Sequence, residues 1–201
     1  MNMELLLLET IQLRDGFLYN LPFHERRMQQ SSLRLWGEVY SWQLSEIIHI
    51  PESQKKGLYK VRITYGVEQF KQEIESYTPK SVNTLKLVRA DDIIYDLKYQ
   101  DRSALNRLSR LKGDCDEILM VKNGLITDTS YSNVAFFDGK QWWTPENPLL
   151  AGTQRTKLVE EGYLKEAAIR PEDLKRYREI KLINAMMDPL LSRSIPVKNI
   201  L

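Results

Sequence analysis

Hydrophobic and polar residues alternate along several stretches of the chain, the pattern of β-strands with one buried face. Residues 58–65 show it most clearly, with Tyr59, Val61, Ile63 and Tyr65 on one side and polar residues between them. Further strands are predicted at residues 5–13, 16–21, 67–77, 84–88, 118–121, 125–127, 134–137, 141–144 and 180–184. In residues 67–77, the spacing of Phe70 and Ile74 would also suit a helix. The pattern therefore predicts a chain rich in β-structure.

Fewer segments carry apolar residues at the three- and four-residue spacing of helices. Helices are predicted at residues 24–36, 41–50, 103–111 and 156–161, with a further one starting at Pro171. Gly37 follows the first helix and suits the left-handed position that commonly ends one. Ser41 is the expected N-cap of the second helix, and Asp101 or Ser103 that of the third.

A change of domain is predicted where these elements are interrupted. Residues 78–81, Thr-Pro-Lys-Ser, combine a proline with polar side chains and are typical of a linker. The division gives a small N-terminal α+β domain of residues 1–80 and a larger, β-rich C-terminal domain of residues 84–201. The predicted fold class is thus α+β with two domains.

Composition and charge narrow the classes of function. The 201 residues are 42% hydrophobic and 28% charged, typical of a globular protein. With 29 basic and 27 acidic residues the net charge is +2, which does not favour nucleic acid or a membrane surface as a partner. The apolar run Leu5–Leu8 is too short for a signal peptide or a membrane span, so a cytoplasmic location is expected.

Cysteine and histidine are too scarce for several common kinds of site. Cys115 is the single cysteine, which excludes an internal disulfide, and it is expected to be a small buried side chain. His24 and His49 are the two histidines, so little material exists for a histidine-based metal site or triad, and no metal is predicted.

The most distinctive stretch is residues 122–133, Lys-Asn-Gly-Leu-Ile-Thr-Asp-Thr-Ser-Tyr-Ser-Asn. Asn123 and Gly124 lie between apolar runs and predict a tight hairpin turn, because both residues tolerate positive φ. Short polar side chains then crowd the segment from Asp128 to Asn133. Polar groups before a buried strand must face water or bond a buried partner, since an unpaired one costs about 1–3 kcal/mol.

Three separated pieces of the chain could together hold pyridoxal phosphate. Such an enzyme needs an amine for a Schiff base, an acid for the ring nitrogen and donors for the phosphate. Lys98 is the candidate amine and Asp128 the candidate acid. The loop-to-helix junction at residues 152–154, with Arg27, is the candidate phosphate site. Taken alone, each of these residues is explained as well by an exposed side chain or by a side chain that bonds the backbone of a turn. The hypothesis of a pyridoxal phosphate site rests on their combination.

The order and the residue identities of these motifs resemble those of the class IV aminotransferase family, the fold-type IV pyridoxal phosphate enzymes. The similar residues, from the first strand to the last, are Glu9-Thr10, Asp15-Gly16, His24, Arg27, Ser31, Lys98, residues 124–133, Thr144-Pro145, residues 150–155 and Asn184-Ala185. Two positions depart from the family pattern: Asp128 stands where glutamate is usual, and Gln154 where threonine is frequent.

The resemblance implies a D-amino acid aminotransferase-like fold, a homodimer and a small-molecule amine as substrate. It implies that Lys98 is catalytic and carries the cofactor. The implied cofactor-binding residues are Arg27, Lys98, Asp128, Asn133, Gly152, Thr153, Gln154 and Asn184.

Two reactions are compatible with the resemblance. One is the 4-amino-4-deoxychorismate lyase reaction, which releases pyruvate and forms 4-aminobenzoate for folate synthesis; Asn184-Ala185-Met186 resembles the lyase form of that element. The other is transamination of branched-chain or D-amino acids. A third hypothesis, from a different class, is a non-catalytic relic of the fold.

Overall fold

The computed structural model describes residues 5–39, 43–67, 69–187 and 192–201. The chain forms two compact units. The first unit comprises residues up to Pro79 together with Leu97–Asp101, and the second comprises Lys80–Asp96 and Arg102–Leu201. Residues 97–101 thus rejoin the first unit after the chain has entered the second. The sequence did not predict this, because it indicated a single domain boundary at residues 80–84.

The first unit contains a four-stranded antiparallel sheet in the order β2-β1-β3-β4. Its strands are β1 (Leu7–Arg14), β2 (Phe17–Leu18), β3 (Leu58–Tyr65) and β4 (Phe70–Ser76). Leu7, Ile11 and Leu13 are fully buried, as the two-residue period of a strand requires of its core face. Glu9 lies in the same phase of β1 and is equally buried, so a carboxylate is placed inside an apolar row.

Two helices belong to this unit, α1 (Leu21–Trp36) and α2 (Leu44–Ile47). The predicted glycine ending of α1 is confirmed: Gly37 has φ 75° and its N–H bonds the Leu33 carbonyl. The predicted N-cap Ser41 lies outside the described residues. His24 and Met28 are buried on one side of α1, one turn apart.

Residues 97–101 lie alongside the start of β1. The Leu8 N–H donates to the Lys98 carbonyl at 2.8 Å, and the Gln100 N–H donates to the Leu6 carbonyl at 2.8 Å. Leu97 is buried in the core of this unit. This backbone pairing flanks Tyr99 and includes the Lys98 carbonyl, so it fixes the main chain of the candidate lysine.

The second unit contains two sheets. One has three strands in the order β5-β6-β7, and the other has five in the order β10-β9-β8-β11-β12. The strands are β5 (Leu85–Arg89), β6 (Glu117–Lys122), β7 (Leu125–Ile126), β8 (Asn133–Phe137), β9 (Trp142–Pro145), β10 (Leu164–Ala167), β11 (Glu179–Ile183) and β12 (Ile195–Pro196). The predicted hairpin is confirmed, with φ of 52° at Asn123 and 78° at Gly124.

Helices of the second unit differ from the sequence-based predictions at their ends. They are α3 (Ser103–Ser109) and α4 (Thr153–Glu160). Arg102 is the residue at the cap of α3, so Asp101 and Ser103 were the wrong choices. Residues Pro171–Arg176 form a 3₁₀ helix, and β10 was not predicted at all.

Among the described residues, no helix combines the length and apolar character required to cross a membrane. Cys115 is buried, as predicted.

Candidate functional site

A buried cluster in the first unit joins β1 to α1. The Arg27 Nε donates to Glu9 Oε1 at 2.8 Å, and Arg27 Nη2 donates to Glu9 Oε2 at 2.6 Å. His24 Nδ1 lies 2.6 Å from the same Oε2. The bidentate geometry is the strongest that arginine makes with a carboxylate. Glu9 thereby fixes the orientation of Arg27, which the family resemblance assigns to phosphate binding.

The charges of the cluster are distributed by burial and by these bonds. Burial alone would raise the pKa of Glu9, but the Arg27 charge and the hydrogen bonds from His24 and Arg27 lower it to about 2. Burial lowers the pKa of His24 despite its bond to Glu9. At neutral pH His24 is therefore uncharged and donates Nδ1–H to Glu9, while Arg27 supplies the positive charge.

Replacing Glu9 with glutamine is expected to lower the free energy of unfolding at neutral pH by about 3–5 kcal/mol, because it leaves the Arg27 charge without its carboxylate. The folded-state pKa of Glu9 lies below its ordinary value of 4.5. Its contribution is thus complete above about pH 4.5 and disappears as the pH falls towards 2. Urea unfolding of both proteins over this range should show the difference between them shrinking with acid.

The matched control for this test is Glu75→Gln on β4. Glu75 pairs with Lys60 at 3.1 Å, and its side chain is half exposed. An exposed pair contributes at most about 1 kcal/mol. Equal losses in the two variants would contradict the structural importance of the buried cluster.

Lys98 lies near this cluster in the first unit. Its positive charge is one of the influences that lower the pKa of His24, after burial and together with Arg27. Lys98 is therefore coupled electrostatically to His24, which is itself bonded to Glu9. The sequence motif contains Glu9 and His24, but pattern analysis assigned them no role.

In the second unit, the segment after the hairpin folds back on itself. The Thr129 N–H donates to the Ser132 carbonyl at 2.8 Å, and the Ser132 N–H donates to Thr129 Oγ1 at 3.0 Å. This turn reverses the chain before β8. Asn133, the first residue of β8, then returns its side chain to Asp128, with Nδ2 donating to Asp128 Oδ1 at 2.8 Å.

Asn133 also joins Asp128 to the loop that leads into α4. Its Nδ2 donates to the Leu150 carbonyl at 2.8 Å, while the Leu150 N–H donates to Asp128 Oδ2 at 2.9 Å. A β-carbon added to Gly152 would lie 2.0 Å from Asn133 Oδ1. The predicted acid and the predicted phosphate loop are therefore adjacent, with the Asn133 amide between them.

Gly152 immediately precedes α4 and has φ −70°. That φ is open to any residue, so the glycine is needed here for space and not for backbone conformation. The first turn of a helix directs its N–H groups outward at the positive end of the dipole, a geometry that suits an anion. The first turn of α4 contains no acidic residue, and both Thr153 and Gln154 are buried.

Replacing Gly152 with alanine is expected to lower turnover by up to about 100-fold, since the added methyl must displace the bonded Asn133 amide. Overpacking should also cost about 1–3 kcal/mol of stability. Steady-state kinetics and thermal unfolding measure the two effects. Gly162→Ala is the control, because Gly162 has φ 74° and open space around it, so stability alone should fall. Full turnover in Gly152→Ala would contradict the close packing described above.

Asn184 is brought to the same region by strand register. Ile183 on β11 is paired with Asn133 on β8, which places Asn184 beside Ser132. Asn184 Nδ2 donates to Ser132 Oγ at 2.9 Å, and Asn184 Oδ1 accepts from the Met186 N–H at 2.9 Å. Within the second unit, Asp128 is thus bonded to Asn133, Gly152 packs closely against Asn133, and Asn184 bonds Ser132, the residue before Asn133.

Arg155 is a buried residue of this region that pattern analysis left without a role. Its Nη2 donates to the Pro145 carbonyl at 2.7 Å and to Glu166 Oε1 at 2.6 Å. These bonds tie α4 to the ends of β9 and β10. The signal in the sequence was its place at the end of the 150–155 motif.

The buried environment of the Asp128 carboxyl suits a positively charged partner. Burial raises its pKa to about 6, although the Asn133 amide and the Leu150 N–H lower it. In the described part of the chain, no basic side chain forms an ion pair with Asp128, and Arg155 bonds Glu166 instead. Asp128 Oδ1 accepts from the Asn133 amide and Oδ2 from the Leu150 N–H, and the Leu149 backbone also lowers the pKa of this carboxyl.

These features fit pyridoxal phosphate. A protonated ring nitrogen would form an ion pair with the buried Asp128 carboxyl, and a phosphate suits the first turn of α4. The chemistry of this donor set is compatible with a phosphorylated pyridine cofactor.

Comparison with known proteins places the chain in a family. The family model described as "Amino-transferase class IV" matches residues 94–195. An uncharacterized protein of Haemophilus influenzae is 41% identical over 182 residues, which cover 90% of this chain and 97% of that protein. The chain belongs to the class IV amino-transferase family.

Solved structures agree with this assignment. A Haemophilus somnus protein, provisionally named 4-amino-4-deoxychorismate lyase, is 37% identical with a TM-score of 0.86, covering 92% of this chain and 98% of that protein. A hypothetical aminotransferase of Mycobacterium tuberculosis in its pyridoxal phosphate-bound form shares the fold at 17% identity and a TM-score of 0.74, covering 94% and 80% of the two chains. The predicted α+β class, enzyme class and pyridoxal phosphate cofactor are confirmed.

Proposed function

We propose that this protein is a 4-amino-4-deoxychorismate lyase, which releases pyruvate and forms 4-aminobenzoate. The observation that carries the proposal is the similarity to the Haemophilus somnus protein over nearly the full length of both chains. The Asn184-Ala185-Met186 element supports it, because Asn184 is anchored on Ser132 beside the candidate cofactor residues. We further propose that the enzyme is a cytoplasmic homodimer that acts in folate synthesis.

When bound, pyridoxal phosphate supplies an electron sink conjugated to the carbon that carries the substrate amine. Lys98 is proposed to hold the cofactor through Nζ. Nζ would also be the group that moves protons at the substrate carbon. The backbone hydrogen bond between Leu8 and Lys98 holds the Lys98 main chain in place while Nζ moves.

The remaining site residues are proposed to bind and orient the cofactor. Asp128 holds the proton at the ring nitrogen. Arg27, with the residues Gly152, Thr153, Gln154 and Asn184, binds the phosphate. Asn133 is proposed to act as a positioning residue, because its amide bonds both Asp128 and the Leu150 carbonyl.

The proposal is tested by incubating the purified enzyme with 4-amino-4-deoxychorismate. We expect 4-aminobenzoate and pyruvate in equal amounts, without a second substrate. Aminotransferase activity is the competing function, favoured by the description of the matching family. Conversion of the cofactor to its amine form by amino acids, with no 4-aminobenzoate produced, would contradict the lyase proposal and support transamination.

A further inference from the structure

Two ends of the candidate cofactor site in the second unit meet at one side chain. Asn133 Nδ2 donates to Asp128 Oδ1 and to the Leu150 carbonyl, each at 2.8 Å. Asn133 is buried, and a β-carbon added to Gly152 would lie 2.0 Å from its Oδ1. The Asn133 amide therefore contacts both the candidate acid of the ring nitrogen and the loop that leads to the candidate phosphate site.

The acid and the bridging amide are attached to different sheets. The Asp128 carbonyl accepts from the Met120 N–H of β6 at 2.8 Å. Asn133 belongs to β8 and is paired with Ile183 of β11. Strand pairing thus fixes both main chains, and the direction of the two side chains depends on the loop to which they are bonded.

Residues 149–152 form this loop, which lies at the surface between β9 and α4. The Leu150 N–H donates to Asp128 Oδ2 at 2.9 Å. The Gly152 carbonyl accepts from the Thr156 N–H at 2.8 Å, so the loop continues directly into the first turn of α4. A surface loop opens at a lower free-energy cost than a core strand. An anion that orders the first turn of α4 would therefore also favour the arrangement in which Leu150 bonds Asp128.

We propose that Asn133 couples the two ends of the cofactor site, so that phosphate bound at the first turn of α4 strengthens ring binding at Asp128, and the reverse. The inference rests on the proposed assignment of Asp128 and residues 152–154 to the cofactor. Both ends favour the same bonded arrangement of Asn133, Leu150 and Asp128, and ligands that favour one state bind cooperatively. Such coupling is reciprocal, so each ligand changes the affinity for the other by the same factor.

The test divides the cofactor into two probes, inorganic phosphate and 3-hydroxy-2-methylpyridine, which is the ring without its phosphate arm and aldehyde. Each is titrated by calorimetry into full-length, cofactor-free protein, alone and with the other probe at saturation. In wild-type protein each probe should raise the affinity for the other by about 5- to 10-fold, with equal factors. Asn133→Ala should make that factor at least about 3-fold smaller. Direct attraction between phosphate and a protonated ring persists in this variant, so the decrease measures the bridge.

Asn147→Ala is the matched control for Asn133→Ala. Asn147 is an exposed asparagine shortly before the same loop, and its Nδ2 bonds the neighbouring Glu146. This variant should keep the wild-type coupling. Asn133→Ser has a polar side chain that is too short for the bridge, and its coupling should fall as in Asn133→Ala.

Hydrogen exchange of backbone amides gives a second readout, which does not depend on any variant. In wild-type protein, phosphate alone and the ring probe alone should each slow exchange at Leu150 by about 5-fold or more. The Arg178 amide, which donates to the Phe137 carbonyl at 2.7 Å on another part of the unit, should not change. If thermal unfolding shows that neither Asn133 variant folds, this measurement decides the question.

The inference is overturned if the two probes bind wild-type protein independently, or if Asn133→Ala couples them as strongly as wild type. Absence of phosphate binding would overturn it together with the assignment of residues 152–154. The lyase proposal is tested separately, by turnover. An enzyme that forms 4-aminobenzoate but binds the probes independently keeps the proposed reaction and loses this inference, whereas coupled probes without 4-aminobenzoate give the opposite result.

Discussion

Lys98→Ala protein is expected to lose its covalently bound cofactor and to turn over on the order of 10³-fold more slowly or worse. The substitution removes the amine that is proposed to form the Schiff base and to move protons. The main chain at this position is held by the Leu8 and Gln100 bonds, so the fold should persist. Borohydride reduction followed by mass spectrometry should attach the cofactor to wild-type enzyme and leave the variant unmodified.

Lys86→Ala is the control for this experiment, because Lys86 is an exposed lysine on β5. Its protein should remain yellow and should gain the reduced cofactor at Lys98. A Lys98→Ala protein that still carried a reducible, covalently attached chromophore would show that another lysine is the attachment site.

Asp128→Asn is expected to lower turnover by about 100-fold or more, because an amide cannot hold the ring nitrogen in its protonated form. It should also cost stability. Both Asp128 oxygens accept hydrogen bonds, and the asparagine NH₂ would face either the Asn133 amide or the Leu150 N–H. Kinetics and unfolding of the variant measure the two losses separately.

The pH dependence of cofactor-free protein gives an independent check on Asp128. Its pKa is raised from 3.8 to about 6, so the contribution of its protonated form is complete below pH 3.8 and is lost as the pH rises through 6. A bound cation should remove this loss. Cofactor should therefore raise the melting temperature of wild-type protein above pH 6 more than that of Asp128→Asn.

Two variants complete the test of Asp128. Asp92→Asn changes an exposed acid and should leave turnover unchanged. Asp128→Glu restores the residue usual in the family and should retain part of the activity, with the added methylene costing about 1–3 kcal/mol. Wild-type turnover in Asp128→Asn would show that this acid does not support the ring nitrogen.

Local patterns predicted those parts of the fold whose causes are local. The Asn123-Gly124 hairpin is an example, because positive φ at two successive residues is a property of the residues themselves. By contrast, β10 was missed because its four residues, Leu-Lys-Glu-Ala, show little alternation. It is a strand because it pairs in parallel with β9, a contact that its own sequence does not reveal.

The candidate site shows the same division. The resemblance identified Asp128, Asn133 and Gly152 as residues of one motif set, and the structure brings them into contact. It did not reveal that Asn133 bonds the acid and the loop together, because that depends on the 129–132 turn. Glu9 carried a usable signal, since a charged residue in the apolar phase of β1 predicts a buried charge with a partner.

The return of residues 97–101 to the first unit affects how the protein can be divided for study. A fragment that ends at Pro79 would lack Leu97 from its core and would leave Leu6 and Leu8 without their backbone partners. An unpaired strand edge of this kind promotes aggregation. Gene fragments, split reporters and circular permutants of this enzyme should therefore keep residues Leu97–Asp101 in the same piece as β1.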